Sequence, residues 1–495
     1  VVLRPGKKEF VDRAEPGTLV PVWAELSADL ETPVSAYLKI AARFPSEHFL
    51  LESVEGAEKW ARYSFVGFDP YLQLTAGPSG TILRRGRSVE TLAPDADPLD
   101  TLAGILAGIR YRPAAGLPRL SGGAVGFVAY DYVRRLERLP GARRDDAFPE
   151  ASFLFPSRLV IFDNVRHRIM IVAHAEIPPG GGAGEAYDRC AEAIAEVRRI
   201  LAEPAPWSEL PEAEEGGDPA FEVPREDFLA RVARAKEYIR DGEIIQVVLS
   251  NRARVRTDRS PQEVYRVLRA LNPSPYMYLL RAGDLAVVGS SPEVLVRLEG
   301  DEIRLRPIAG TRPRGATPEE DRRLEAELLS DPKELAEHVM LVDLGRNDVG
   351  RVARWGSVKV DELMVVERYS HVMHIVSNVV GRLGPGKTAF DVFRAAFPAG
   401  TVTGAPKIRA MEIIDELEPF RRGVYAGAVG YFDLQGNMDF CIAIRTILMQ
   451  GQDAMIQAGA GIVADSDPPR EWDEIAAKAR VLFRAIGRGS GGGRA

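Results

Sequence analysis

A segment from Glu203 to Pro224, EPAPWSELPEAEEGGDPAFEVP, crowds Pro, Gly and acidic residues together and interrupts the apolar periodicity on either side. It reads as a linker at 203–224 between an N-terminal part, 1–202, and a larger C-terminal part, 225–486, with 487–495 (GRGSGGGRA) as a flexible end. Before the linker, short β-like runs (Phe49-Leu50-Leu51, Tyr71 to Leu74, Leu159 to Phe162) mix with amphipathic helices such as Val34 to Phe44, opened by Thr32-Pro33. After it, Phe228, Val232, Ala235 and Ile239 stand at helical spacing, which predicts a helix from about Arg225 to an Asp241-Gly242 stop. A strand from Ile244 to Leu249 should follow at once. From there to Ile486 strands and helices alternate irregularly, with no repeat and no βαβ rhythm, so the pattern predicts an α+β fold with long antiparallel strands.

Charge narrows the partners. Lys and Arg total 64 against 71 Asp and Glu, and a net charge of −7 gives no electrostatic drive toward nucleic acid or an anionic membrane. Val1 to Lys8 lacks the apolar stretch of a secretory signal, and nowhere do about 18 uncharged apolar residues run together. A cytoplasmic protein is expected. Cys190 and Cys441 lie in no CxxC or Cys/His cluster and are expected to be reduced and non-catalytic.

Two acidic helices stand out. In Asp331 to Met340, Glu334 and Glu337 lie three apart on one face while Leu335, Val339 and Val342 lean toward a core. In Asp467 to Glu474, Asp467 can cap and two prolines open a helix that carries Glu471, Glu474 and Lys478 on one side. Two such pairs facing each other would make an oxygen-only cage suited to Mg²⁺. The same spacing also describes two solvated faces, and spacing alone leaves both open. Three small-residue segments add backbone and hydroxyl donors: Pro307 to Arg312, Phe397 to Lys407, and Gln457 to Gly461. None of them is a P-loop or a GxGxxG turn. His371 and His374 are too few to imply a metal. Arg445, inside the apolar run Phe440 to Leu448, needs an anion or several acceptors, and a substrate carboxylate would serve.

Six strings follow one another in the order and spacing of a known family: Gly289-Ser290-Ser291-Pro292-Glu293, PIAGTR at 307–312, DPKELAEHVMLVDLGRND at 331–348, ERYSHVMHIVS at 367–377, FPAGTVTGAPK at 397–407, and Ala458 to Lys478. By these the chain resembles the chorismate-utilising enzymes from about 225 to 486, with weaker likeness before the linker. The resemblance implies an α+β fold, a large two-layered antiparallel β-sheet sandwich flanked by helices. It implies Mg²⁺ held chiefly by Glu337 and Glu474, with Glu334 and Glu471 acting directly or through water, against the ring carboxylate of chorismate. Arg445, Tyr425 and the backbone of Gly459, Ala460 and Gly461 would take the enolpyruvyl carboxylate; Gly310, Thr311, Thr401 and Lys478 would complete the pocket. Glu293 matches the general acid that protonates the departing C4 hydroxyl. Ammonia would attack C2, and loss of the C2 proton with pyruvate would give anthranilate, a step to which His374 is matched.

Two positions distinguish branches of the family. Isochorismate and salicylate synthases resemble this chain except for a lysine at Gln246, and Gln246 cannot be a base. Aminodeoxychorismate synthases, the alternative reading, carry a lysine nucleophile where this chain has Ala309. Leu50-Leu51-Glu52-Ser53 and Asn272 to Tyr278 resemble paired segments that bind L-tryptophan as a feedback inhibitor, which implies a site at Ser53, Pro275, Tyr276 and Met277, with Arg62 beside it. No segment resembles a glutamine amidotransferase, so glutamine hydrolysis is expected in a partner subunit, and this chain alone should use free ammonia.

Overall fold

A computed structural model of the chain describes residues 2–53, 62–141, 148–206, 209–213, 220–369 and 372–487. His371, part of the linker and 488–495 lie outside these residues. Two antiparallel sheets emerge. In the first, hydrogen-bonded neighbours run Thr18–Ser27, Arg168–Glu176, Ala151–Asp163, Tyr63–Gly77, Glu47–Glu52, Tyr276–Ala282, Leu285–Ser291, Thr446–Gln450, Asp453–Ile462 and Gln246–Arg256. In the second they run Gly80–Arg85, Tyr63–Gly77, Ala151–Asp163, Gly123–Val128, Ala428–Asp433, Met438–Ile442, Val294–Glu299, Glu302–Leu305 and Val372–Arg382, with Ile308–Pro313 and Lys359–Arg368 also on the last.

The long strands Tyr63–Gly77 and Ala151–Asp163 belong to both sheets. Their ladder slips between Pro70 and Leu72, where Pro70 faces Pro156. Proline has no N–H to give, so the pair breaks there and turns from one sheet into the other. The space between the layers is filled by Phe49, Leu159, Ile161 and Tyr278 from the first and Val125, Phe127, Tyr431 and Cys441 from the second. Helices cover the outer faces: Pro33–Arg43, Ala183–Ala202, Arg225–Arg240, Pro261–Leu271 and Pro468–Ile486 on the first, and Pro332–Gly350 and Ala389–Ala396 on the second. The fold is the expected α+β sandwich flanked by helices.

Local chemistry explains the elements. Thr32 caps Pro33–Arg43 through the Ser35 N–H, and Ser35 answers to the Thr32 N–H. Arg225–Arg240 ends at Gly242, φ +77. The next strand begins at Gln246 rather than Ile244 and runs on to Arg256; before it, the Ile245 N–H bonds instead to the Ala405 carbonyl, leaving the Ile245 side chain exposed. The described end of the linker is fastened: Asn251 both donates to the Val223 carbonyl and accepts from its N–H, while Glu222 pairs with Arg252. Among the described residues no helix is long and apolar enough to cross a membrane. Both cysteines are buried, and burial pushes the Cys190 thiol up to about 12 and the Cys441 thiol higher still.

Candidate active site

The two acidic helices meet at a cavity of about 590 Å³. Asp331 caps Pro332–Gly350 by accepting from the Lys333 and Glu334 N–H groups, so Glu334 and Glu337 fall in the first two turns. Pro468–Ile486 likewise opens on two prolines and places Glu471 and Glu474 in its first two turns, although Asp467 makes no side-chain cap bond. Helix starts favour carboxylates, because their free N–H groups carry partial positive charge. All four glutamates line the cavity. Burial first, and then the Glu334 and Glu474 charges, hold the Glu337 carboxyl above its ordinary range. A hard cation would relieve that repulsion. As the side chains stand, Glu334 accepts from Arg312 at 3.0 Å and Glu474 from Lys478 at 2.6 Å, and among the described residues no three candidate ligands converge. Of the three apolar residues expected to face a core, Val342 is buried and Leu335 partly so; Val339 is exposed, on a surface groove beside the cavity.

The deep wall carries Glu293. It follows the strand Leu285–Ser291, and its backbone is pinned by Ser291, whose hydroxyl accepts the Glu293 N–H at 3.3 Å and donates to the Ile442 carbonyl at 2.7 Å. Burial pushes its carboxyl up to about 7, with the nearby Thr401 hydroxyl and Arg445 guanidinium opposing in part. A carboxyl so held is an acid near neutrality. Arg445 lines the same cavity but does not sit in a strand: it links Met438–Ile442 to Thr446–Gln450 with a left-handed φ of +50, which turns its side chain out of the apolar ladder. Its guanidinium donates to the Asn272 side-chain carbonyl at 3.3 Å.

The remaining positions gather around these. His374 Nδ1 donates to the Gly310 carbonyl at 3.1 Å and lies 3.0 Å from the Thr311 hydroxyl, which leaves Nε2 as the basic nitrogen. Burial, followed by the Arg445 charge, lowers its pKa and favours the neutral ring. Gln457 to Gly461 is not a turn but part of the strand Asp453–Ile462. Its alternation sends Gln457, Gly459 and Gly461 to the cavity and the Ala460 methyl into the opposite hydrophobic core, so Ala460 presents no side chain to a ligand. A Cβ at Gly459 would stand 2.5 Å from the Tyr425 hydroxyl and 3.0 Å from the Leu249 carbonyl, and one at Gly461 2.5 Å from Gln246 Nε2. Lys478 donates to the Gly459 carbonyl at 3.0 Å.

On two residues that line this cavity a buried side-chain oxygen has no hydrogen-bond partner among the described residues: Gln246 Oε1 and Gln457 Oε1. Gln457 and Asn272 stood in the sequence only as ends of quoted segments, with no role in this cavity assigned to either. Sequence reading also missed the support beneath the site. Arg422, 1% exposed, donates to the Val402 and Val248 carbonyls at 2.6 and 2.7 Å and pairs with buried Glu418. That one guanidinium ties the turn bearing Thr401 to the strand bearing Gln246.

A second cavity of about 550 Å³ contains Ser53, Arg62, Pro275, Tyr276 and Met277 together. The strands Glu47–Glu52 and Tyr276–Ala282 pair with Met277 opposite Glu52, which brings the two motifs side by side. Arg62 bonds to Asp163 at 2.8 Å and Tyr276 to Asp439 at 2.9 Å. Pro275, Pro292, Ile308 and Tyr369 border both cavities.

Comparison with known proteins agrees with this geometry. The profile of the chorismate binding enzyme family matches residues 47–484. The chain is 46% identical over 489 residues to anthranilate synthase component 1 of Acetivibrio thermocellus, covering 97% of this chain and 98% of that protein. It is 48% identical over 477 residues to the same component from Aquifex aeolicus, covering 94% of each. Among solved structures, anthranilate synthase component I from Streptococcus pneumoniae matches with a TM-score of 0.76 at 37% identity, over 87% of this chain and 94% of that one. The menaquinone-specific isochorismate synthase from Escherichia coli shares the fold, with a TM-score of 0.70 at 19% identity over 97% and 98%.

Proposed function

Since this chain belongs to the chorismate-binding enzyme family, in the branch formed by anthranilate synthase component 1, we propose that it converts chorismate and ammonia to anthranilate, pyruvate and water with Mg²⁺. The carrying observation is the buried Glu293 carboxyl, held protonated to about pH 7, on the wall of the cavity that also holds Arg445. Hydroxide is a poor leaving group and water a good one, so a proton delivered by Glu293 to the C4 oxygen lowers the barrier to its departure. Arg445 is placed to take a substrate carboxylate in the dry interior, where a charged bond counts most. Ala309 presents only a methyl to the cavity, which leaves no lysine to attack C2 and favours direct amination over aminodeoxychorismate formation. His374, neutral with Nε2 free, is suited to the proton removal that accompanies pyruvate loss.

Glu337 and Glu474, with Glu334 and Glu471, would hold the Mg²⁺, whose charge would neutralise the ring carboxylate. Oxygen-only donors and the mutual repulsion around Glu337 suit that ion. The second cavity would bind L-tryptophan, and its shared proline wall gives inhibitor occupancy a direct bearing on Pro292 and hence on Glu293. The other component implied by a component 1 would be a glutamine amidotransferase subunit supplying ammonia, and both would work in the cytoplasm.

The test is incubation with chorismate, Mg²⁺ and ammonium at alkaline pH. Anthranilate fluorescence and pyruvate should appear in equal amounts, and neither should form when Mg²⁺ is chelated. Aminodeoxychorismate without pyruvate would overturn the proposal.

A further inference from the structure

Four residues border both cavities: Pro275, Pro292, Ile308 and Tyr369. Two prolines and an isoleucine have no side-chain hydrogen bond to make or break. Tyr369 has one. It follows the strand Lys359–Arg368, and its backbone is fixed on both sides: the N–H donates to the Val372 carbonyl at 2.8 Å and the carbonyl accepts from Arg314 at 2.7 Å. Any adjustment at Tyr369 therefore falls to its side chain, whose two parts meet different sites. The hydroxyl donates to Glu367 at 3.0 Å, and Glu367, which also pairs with Arg306, lines the second cavity. The ring stands edge-on to the imidazole of His374, with centroids 5.6 Å apart and planes at 62°, and His374 lines the active-site cavity.

His374 is placed to respond to that ring. In the strand register it stands opposite Glu367 on one side and Thr311 on the other, so the three side chains share a face of the sheet. Its bonds to the Gly310 carbonyl and the Thr311 hydroxyl are both made at Nδ1. A ring held at one corner pivots there, and Nε2, the basic nitrogen, travels farthest. Tyr369 is lightly held in turn. Its hydroxyl bonds to a carboxylate that is only partly buried, a bond that shifts an equilibrium about tenfold. A ligand carrying an ammonium group, charged where the phenol is neutral, competes for the same carboxylate.

We propose that Tyr369 passes inhibitor occupancy of the second cavity to His374; this rests on the reading of that cavity as the L-tryptophan site. In the active arrangement the hydroxyl is anchored on Glu367 and the ring braces His374, with Nε2 presented to the active-site cavity. Tryptophan brings an ammonium group to Glu367 and releases the hydroxyl. The ring then turns against the imidazole, which pivots at Nδ1 and carries Nε2 away from the proton it removes. A ligand shifts such a pair of arrangements only by its preference for one of them, and here that preference is the exchange of partners on Glu367.

The experiment measures tryptophan binding by calorimetry and tryptophan inhibition by initial rates with chorismate and ammonium, in the wild type, Tyr369→Phe and Tyr369→Leu. Each rate is normalised to the same protein without tryptophan. Tyr369→Phe keeps the ring and loses the anchor, so half-maximal inhibition should need about tenfold less tryptophan. Tyr369→Leu loses the ring, so tryptophan should still bind, yet the residual rate at saturation should rise at least about fivefold above that of the wild type. The phenylalanine variant differs by one hydroxyl, and the direction of its shift decides alone if the leucine variant does not fold. Complete inhibition of Tyr369→Leu would leave the signal to the proline wall and overturn the assignment. So would an unchanged or higher half-maximal concentration in Tyr369→Phe, which would make Tyr369 at most a contact of the inhibitor. A wild type that binds no tryptophan would instead overturn the reading of the second cavity, so the two failures are distinguishable.

Discussion

Replacing Glu293 by glutamine keeps the shape of the side chain and removes its proton chemistry, so stability and rate can be read from one variant. The folded protein holds this carboxyl at about 7 against 4.5 for a free glutamate, because burial penalises the charged form. The native state thus binds the proton more tightly than the unfolded chain. The resulting stabilisation is fully present below pH 4.5 and is lost as pH rises through 7. At about 1.36 kcal/mol per pH unit, the interval between those values amounts to about 3 kcal/mol, of which about 2 kcal/mol falls between pH 5.5 and 8.5. Urea unfolding of wild type and Glu293→Gln at those two pH values isolates it, since every other titrating group cancels in the double difference. The wild type should lose about 2 kcal/mol more than the variant on going to pH 8.5. In parallel, kcat should fall by about 10²–10⁴-fold in the variant if the group is the acid. Identical pH dependence in both proteins would show that Glu293 does not titrate where its burial places it, and an unchanged kcat would remove it from the chemistry.

Other perturbations probe other parts of the molecule. Arg445→Lys keeps the charge but loses the planar fork, and should raise the chorismate KM by at least about tenfold, as initial rates would show; an unchanged KM removes Arg445 from the carboxylate site. Tyr276→Ala should weaken inhibition by L-tryptophan about tenfold or more, given the contact area of a ring in a pocket, while leaving kcat near that of the wild type; retained inhibition would move the inhibitor elsewhere. Arg422→Met leaves Glu418 charged and buried without its partner, and should cost about 3–5 kcal/mol in urea unfolding. The double variant Glu418→Gln with Arg422→Met should recover part of that loss, and no recovery would mean that the carbonyl bonds of Arg422, not the ion pair, hold the turn.

The residues that perform the proposed chemistry were readable in the sequence because they sit in strings whose order matches a family, and the structure brings them into one cavity. What was not readable depends on local conformation or on register between distant segments. Arg445 lies in an apolar run that looks like one strand; the left-handed φ of +50 that breaks the run and turns the guanidinium outward is a single backbone choice that composition does not encode. Val339 shows a core-facing spacing on its helix, yet whether that face is covered depends on what the rest of the chain packs against it, and here it meets an open groove. Glu418 and Arg422 stand four apart, as countless surface pairs do, and only the approach of the Val248 and Val402 carbonyls makes theirs a buried support. Ala460 and Gln457 are different, because a signal was present. Gln457 to Gly461 stood out only as a small-residue segment, but read as a strand its period of two separates 457, 459 and 461 from 460. A Cβ at Gly459 would press on Tyr425 and the Leu249 carbonyl, and one at Gly461 would have to displace the end of the Gln246 side chain. Where a reactive pocket is cut into a sheet, glycine marks the face the ligand uses, and the residue between two such glycines belongs to the core behind it.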